Sequence, residues 1–232
     1  MSDSLLAEKG LKVVLASSSP RRIELLTNLG FEFEIIPSDV DETVEPGKTA
    51  AGTVIQLAKL KADTVYERVT ENDNWKGGDE NRSLLVLGAD TTVVLDNQLL
   101  GKPEDVEDAK SMLRRLSGRC HDVFTGVVIL YREANSQTPI EISSFEMSHV
   151  YFRNLTEEEI SAYVKTGEPM DKAGSYALQG IGSAFVQAIE GCFTNVIGLP
   201  VPLVVSMLRR AGITVLGTTG RRDTHYVSAP QT

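Results

Sequence analysis

The sequence predicts an α/β protein, because segments with strand and helix patterns alternate along the chain. Residues 11–15 form a short apolar strand pattern that leads through a turn into a helical pattern. A longer helical pattern covers residues 49–69, and residues 84–87 are then typical of a fully buried strand. Residues 119–131 and 142–153 are strongly strand-forming, and they indicate an antiparallel pair that extends the sheet further.

The composition is that of a globular protein: 41% of the 232 residues are hydrophobic, which is enough to bury a core. The net charge of −9 is opposite to that of a nucleic-acid-binding surface, so we expect no nucleic-acid partner. No apolar run approaches the ~20 residues of a membrane helix, so we expect a cytoplasmic protein without a membrane partner. Cys120 and Cys192 are too few for a disulfide framework and wrongly spaced for a zinc site.

The first turn of the chain carries three serines and two arginines at residues 17–22. Ser19 is a natural N-cap, and Pro20 suits the first helical position, where its missing N–H is not needed. The free N–H groups of such a helix start attract anions, and the guanidinium groups of Arg21 and Arg22 suit phosphate oxygens. The sequence therefore predicts either a phosphate site here or a purely structural turn.

Turn and cap residues delimit the remaining elements. Asp96 and Asn97 predict a hairpin turn, and Thr156 with Glu159 predicts a capping box that opens a helix. Apolar spacing adds a second strand at residues 31–36 and helices at residues 104–116, 156–165 and 200–211.

A carboxylate follows the buried strand of residues 84–87. Gly88 and Ala89 leave room for a ligand beside the backbone, and Asp90 comes next. Ligand sites of open α/β sheets gather at the carboxyl ends of strands. A lone Asp at a strand end is more often a cap or turn former, but a further strand follows here directly. The predicted hairpin then returns Lys102 to the level of Asp90.

Three further segments carry charged side chains. Residues 38–42 form an acidic loop, which is either solvated or able to hold a hard divalent cation through its oxygens. Lys59 and Lys61 lie on the predicted helix of residues 49–69, where solvation is the default. Residues 167–182 combine four glycines with charged and amide side chains, which favours a loop in close contact with a ligand.

Four blocks of residues together resemble the motifs of the Maf family of nucleoside-triphosphate pyrophosphatases. They are residues 15–22, 88–91, 101–103 and 167–180. Residues 38–42, 57–62 and 116–119 fit as well, in the family's order. Each block alone is weak, but their ordered combination is specific.

The resemblance implies a fold like that of Maf proteins and inosine triphosphatases: a long mixed sheet with flanking helices and two lobes around a central cleft. We expect one domain over residues 11–216, a polar surface insertion at residues 70–83 and a C-terminal tail at residues 217–232. It also implies hydrolysis of a nucleoside triphosphate between the α- and β-phosphates, with a divalent cation, Mg²⁺ or Mn²⁺. A homodimer is suggested by the resemblance alone.

The resemblance also assigns roles to residues of this sequence. Asp90 matches the family's general base, and Glu42 and Asp90 match its cation contacts. The phosphate-binding positions match Ser19, Arg21, Arg22, Lys61 and Lys102. The positions that separate substrate classes match Arg21, Thr91 and Gln179, a set similar to the subgroup that acts on dTTP and UTP.

A glutamine suits a uracil or thymine base, because its amide can accept from N3–H and donate to O4. A rotated Gln179 amide would also match cytosine. A hydrophobic gap discriminates one methyl group by only ~1–3 kcal/mol, so modified pyrimidine triphosphates are expected substrates too. The predicted role is removal of such nucleotides from the pool before polymerases use them.

Two other functions stay open at this point. One is a nucleotide-sensing regulator of cell division that does not hydrolyse its ligand. The other is a pyrophosphatase of the same fold for methylated guanine nucleotides, which Arg21, Thr91 and Gln179 disfavour. A dinucleotide-binding dehydrogenase is set aside, because the opening turn lacks the glycine fingerprint.

Overall fold

The described part of the chain comprises residues 10–43, 47–71 and 82–215 of a computed structural model. Within those ranges, no helix has the length and apolar character needed to cross a lipid bilayer. Residues 72–81 of the predicted insertion and the predicted tail at 217–232 lie outside the described residues. The predicted domain limits of 11–216 stay a prediction.

Seven strands of the described residues form one mixed sheet, as predicted. They are β1 (Leu11–Leu15), β2 (Glu34–Ile35), β3 (Ser83–Leu95), β4 (Gln98–Leu100), β5 (Cys120–Arg132), β6 (Ile140–Phe152) and β7 (Val186–Glu190). The order along the sheet is β2-β1-β3-β5-β6-β7, and β4 pairs with the far end of β3. β1 runs parallel to β2 and β3, and the other pairs are antiparallel.

Helices cover both faces of this sheet. They are α1 (Pro20–Asn28), α2 (Ala50–Glu71), α3 (Val106–Leu116), α4 (Glu157–Lys165), α5 (Phe193–Ile197) and α6 (Val201–Arg210). Side chains alternate between the faces of a strand. One face of β3 and β5 therefore packs against α1 and α6, and farther along against α3 and α4. The opposite face packs against α2. The predicted α/β class is confirmed.

The predicted second strand at residues 31–36 is wrong in length. Only the two residues of β2 pair, alongside Val14 and Leu15 at the end of β1. Phe31 is buried and packs into the core beside α1 instead. Other local predictions are confirmed, including the turn at Asp96 and Asn97 and the capping box that opens α4.

One edge of β3 lacks a neighbouring strand over part of its length. β1 pairs with β3 as far as Leu87, and β4 pairs with β3 only from Val93 onward. Between these points, residues 88–92 have a strand partner on the β5 side alone. The chain leaves the end of β1 to form α1, so a crevice opens at this edge between β1 and β4.

Two glycines allow α2 to lie close to the sheet. A Cβ atom at Gly88 would lie 2.3 Å from the carbonyl oxygen of Ala58, and one at Gly126 would lie 2.4 Å from the carbonyl carbon and oxygen of Val54. Real Cβ atoms do not approach backbone so closely, so any other residue would push α2 outward. This close packing brings the side chain of Lys61 on α2 within reach of Asp90 on β3.

We predict that Gly126→Ala destabilises the protein, because its new methyl group collides with the backbone of α2. Such overpacking costs ~1–3 kcal/mol in free energy of unfolding. Urea denaturation measures the loss. Gly101→Ala is the matched control, because nothing lies within 4 Å of its Cβ position. Equal stability of the two variants would contradict the close packing.

Candidate active site

A cleft of about 800 Å³ lies along the uncovered edge of β3. This volume suits a small-molecule ligand of nucleotide size. All but one of the site residues predicted from the sequence line it: Ser19, Arg21, Arg22, Glu42, Lys61, Asp90, Thr91 and Lys102. These residues come from α1, α2, β3 and the segments around residues 42 and 102, so the fold gathers distant parts of the chain at one place.

Lys61 is a buried charged residue of the cleft. It lies on α2 and is 7% exposed. Its Nζ lies 2.6 Å from Oδ1 of Asp90 and 2.6 Å from Oε1 of Glu42. The default prediction of a solvated Lys61 is therefore wrong. This residue lies on the side of α2 that faces the sheet, where it contacts Asp90. The two carboxylates compensate the buried ammonium charge.

Glu42 connects the acidic loop to two basic residues. Its Oε2 lies 3.7 Å from Nζ of Lys102, across from its contact with Lys61. Partial burial opposes ionisation of Glu42, but the hydrogen bond and charge of Lys61 outweigh it and lower the pKa of the carboxyl below its ordinary value. Glu42 is therefore ionised at neutral pH and forms ion pairs with both Lys61 and Lys102.

The start of α1 forms another wall of the cleft. Ser19 occupies the N-cap position as predicted, but its hydroxyl makes no capping hydrogen bond, and Pro20 follows at the first helical position. The first N–H groups of α1 therefore keep donor capacity beside the cleft. In the described part of the chain, no hydrogen bond or ion pair engages the guanidinium of Arg21. Both features suit an anionic ligand.

Arg22 was predicted only as a phosphate-binding residue, but its guanidinium also makes three hydrogen bonds to the wall of the cleft. Its guanidinium donates from Nε to the carbonyl oxygen of Gly198 at 2.8 Å, from Nη1 to Oγ of Ser17 at 3.3 Å and from Nη2 to Oγ1 of Thr91 at 3.0 Å. Burial lowers the pKa of Arg22, and the charge of Asp90 opposes this shift. A guanidinium carries five N–H donors, so two remain for a ligand.

Gln179 is the predicted site residue that does not line the cleft. Its Nε2 lies 3.4 Å from Oε2 of Glu24 on α1. Its neighbours Ala177 and Leu178 do line the cleft, so the segment that carries Gln179 borders the site. The predicted contact between Gln179 and a base stays a prediction.

Several residues of the site were not predicted. Asp171 and Lys172 line the cleft, and Lys172 donates to the carbonyl oxygen of Glu168 at 2.6 Å. In the sequence they lay inside the glycine-rich segment, which also belongs to a block that resembles the family motifs, but no role was assigned to them. Tyr176 also lines the cleft, and its hydroxyl pairs with Nε2 of His121 at 2.8 Å.

Glu42 and Asp90 are the residues suited to contact a cation. Among the described residues, no group of three or more His, Cys, Asp or Glu side chains is arranged to hold a metal ion on its own. Mg²⁺ rarely needs such a group, because it binds one or two protein carboxylates together with substrate phosphates and water. Two hard carboxylates that share one ammonium therefore fit a cation that arrives with a phosphate ligand.

The chain is similar to known proteins along most of its length. The profile of the family described as Maf-like protein matches residues 12–211. A dTTP/UTP pyrophosphatase of Caldicellulosiruptor saccharolyticus is 45% identical over 201 residues, which cover 87% of this chain and 95% of the relative. A protein of the same description from Hahella chejuensis is 45% identical over 204 residues, which cover 88% of this chain and 94% of the relative.

A third relative and one solved structure are also similar to this chain. A dTTP/UTP pyrophosphatase of an Anaeromyxobacter species is 46% identical over 201 residues, which cover 87% of this chain and 90% of the relative. The solved structure of the Staphylococcus aureus Ham1 protein aligns with a TM-score of 0.35 and 13% identity, over 61% of this chain and 71% of that chain.

The buried His121 predicts a pH dependence of stability. Burial lowers the pKa of His121 from 6.5 to about 4. The unfolded chain therefore binds a proton between pH 6.5 and 4 that the folded protein does not bind, so stability falls as the pH drops through this range. From pH 7 to pH 5, His121 contributes a loss of about 2 kcal/mol. Urea denaturation at both pH values tests this, with His121→Gln expected to lose correspondingly less than the wild type. An equal loss in both proteins would contradict a neutral buried His121.

Proposed function

This chain belongs to the Maf family, and from that premise we propose that it is a nucleoside triphosphate pyrophosphatase. It hydrolyses dTTP and UTP between the α- and β-phosphates and releases the monophosphate and pyrophosphate. The observation that carries this proposal is the convergence of Arg21, Lys61, Lys102 and Asp90 on one cleft. Relatives at about 45% identity that are named dTTP/UTP pyrophosphatases support the substrate.

The basic residues of the cleft bind the triphosphate. A triphosphate carries several negative charges, and its hydrolysis requires that they be neutralised as the leaving pyrophosphate forms. Arg21 and Lys102 have donor capacity for this, because Arg21 makes no hydrogen bond in the described residues and Lys102 lies 3.7 Å from its nearest carboxylate oxygen, on Glu42. The free N–H groups at the start of α1, beside Ser19, add further donors.

Asp90 acts on the attacking water. Lys61 holds Oδ1 of Asp90 at 2.6 Å and so fixes the orientation of the carboxylate. No hydrogen bond in the described residues engages Oδ2, which is then the oxygen that accepts a proton from the water.

A divalent cation would add positive charge to this site. Glu42 and Asp90 are the residues that would hold Mg²⁺ or Mn²⁺ together with the phosphates. Such an ion neutralises phosphate charge and lowers the pKa of a bound water.

Thr91 and Gln179 are the residues proposed to set the base specificity. Thr91 is hydrogen-bonded to Arg22 and to Thr125, so it shapes the wall of the cleft rather than offering a free hydroxyl. Gln179 reaches a base only if its amide leaves Glu24. A pocket that accepts both dTTP and UTP also accepts modified pyrimidine triphosphates, which is consistent with a role in cleaning the nucleotide pool.

We also propose that the protein is cytoplasmic, that it has no nucleic-acid or membrane partner, and that it forms a homodimer.

We predict that the protein releases pyrophosphate from UTP and dTTP with kcat/KM at least about tenfold higher than from ATP, GTP or a methylated GTP, which corresponds to ~1.4 kcal/mol of discrimination. A coupled pyrophosphate assay across this panel, with Mg²⁺ or Mn²⁺ and a chelator blank, measures it. Faster turnover of a purine nucleotide would overturn the base assignment. Binding without pyrophosphate release from any nucleotide would favour the sensing regulator.

A further inference from the structure

The orientation of Arg22 depends on three hydrogen-bond acceptors in the wall of the cleft. A guanidinium is a rigid planar fork, so hydrogen bonds from Nε, Nη1 and Nη2 fix both its position and its tilt. The three acceptors belong to Gly198, Ser17 and Thr91. Whatever fixes these acceptors also fixes the direction in which Arg22 presents its two remaining N–H groups to a ligand.

Thr125 contacts one of these acceptors, Thr91, and also the backbone of Asn195. It lies on β5 directly opposite Thr91 on β3 and is 0% exposed. Its Oγ1 lies 2.9 Å from Oγ1 of Thr91 and 3.1 Å from the carbonyl oxygen of Asn195. Thr125 does not line the cleft, whereas Thr91 and Arg22 do.

The proton positions in this group follow from counting donors. A carbonyl oxygen only accepts, so the single hydroxyl proton of Thr125 goes to Asn195. The contact between the two threonines then requires Thr91 to donate to Thr125. The oxygen of Thr91 is left as an acceptor towards Arg22. The hydrogen bonds therefore run in one direction, from Arg22 through Thr91 and Thr125 to the backbone of Asn195.

The same segment of chain also carries the acceptor for Nε of Arg22. The N–H of Gly198 donates to the carbonyl oxygens of Thr194 and Asn195, so Gly198 closes the turn at the end of α5. Asn195 is fully buried, and its Nδ2 donates to the carbonyl oxygen of Val123 and to Oγ of Ser148, both at 2.9 Å. Thr125 on β5 thus donates to the same Asn195 carbonyl that accepts from the N–H of Gly198. This contact links β5 to the turn that positions the Gly198 carbonyl.

Loss of the Thr125 hydroxyl would redirect this group. The proton of Thr91 would turn to its other neighbour, the carbonyl oxygen of Gly198, which lies 3.4 Å from Oγ1 of Thr91. That carbonyl already accepts from Nε of Arg22. A carbonyl oxygen can accept both hydrogen bonds, but a Thr91 hydroxyl turned towards Gly198 would also turn its lone pairs away from Nη2 of Arg22, so the guanidinium would lose its single arrangement.

We propose that Thr125 is a positioning residue for Arg22, which it orients towards the phosphates of the substrate without touching the substrate itself. This inference depends on the proposed function, in which Arg22 lines the triphosphate site. In the sequence, Thr125 was an ordinary β-branched residue of a predicted strand, and only the pairing of β3 with β5 shows its partner.

The test compares Thr125→Val with Thr125→Ser. Valine keeps the shape and strand preference of threonine and removes only the hydroxyl, whereas serine keeps the hydroxyl. We expect Thr125→Val to lower kcat/KM for UTP with Mg²⁺ by about tenfold, the size of effect that a misplaced binding group causes, and Thr125→Ser to stay within about twofold of the wild type. If Thr125→Val does not fold, Thr125→Ala removes the same hydroxyl and carries the same expectation.

A double-mutant cycle separates positioning from a general structural effect. In an Arg22→Lys background the fork is already gone, so adding Thr125→Val is expected to change kcat/KM by less than about twofold. A full tenfold loss in that background would show that Thr125 acts independently of Arg22 and would overturn the inference. Equal activity of Thr125→Val and the wild type would overturn it as well. A wild-type protein that does not hydrolyse UTP would instead overturn the proposed function.

Discussion

The buried ammonium of Lys61 between two carboxylates is the interaction on which the rest of the site depends. Lys61 lies 2.6 Å from both Asp90 and Glu42. A charge this enclosed is tolerated only when opposite charges contact it, so β3, α2 and the acidic loop must all be in place together. The contact exists because Gly88 and Gly126 let α2 lie against the sheet. Assembly of the site therefore requires that α2 pack against the sheet.

The same interaction explains how a chain with a net charge of −9 can bind a polyanion. The acidic excess of the whole chain does not set the potential in the cleft, where Lys61 offsets one of the two charges of Glu42 and Asp90. Around them, Arg21, Arg22 and Lys102 supply further positive charge. A local cluster of this kind determines the affinity for a charged ligand, and distant surface charges are screened within about 8–10 Å.

Much of the fold was predictable because its determinants are local. Proline and serine placed the start of α1, a capping box placed the start of α4, and an apolar run placed the first part of β3. The predicted strand end before Asp90 is wrong, because β3 continues through Asp90 to Leu95. Most of the site was predictable from motifs that resemble one family. The network of Thr91, Thr125 and Asn195 was not predictable, because it depends on the register between β3 and β5. The position of Gln179 beside Glu24 depends likewise on tertiary packing that no spacing encodes.

In the proposed function, Asp90, held by Lys61, promotes cleavage of the α–β phosphoanhydride of a pyrimidine triphosphate. The most direct measurement is a phosphorus NMR time course of UTP with Mg²⁺ for the wild type and for Asp90→Asn, with nucleotide binding followed in parallel. We expect UMP and pyrophosphate from the wild type, and in the variant retained binding with turnover at least ~10²-fold lower. Near-normal turnover in the variant, or UDP and orthophosphate as products, would contradict it.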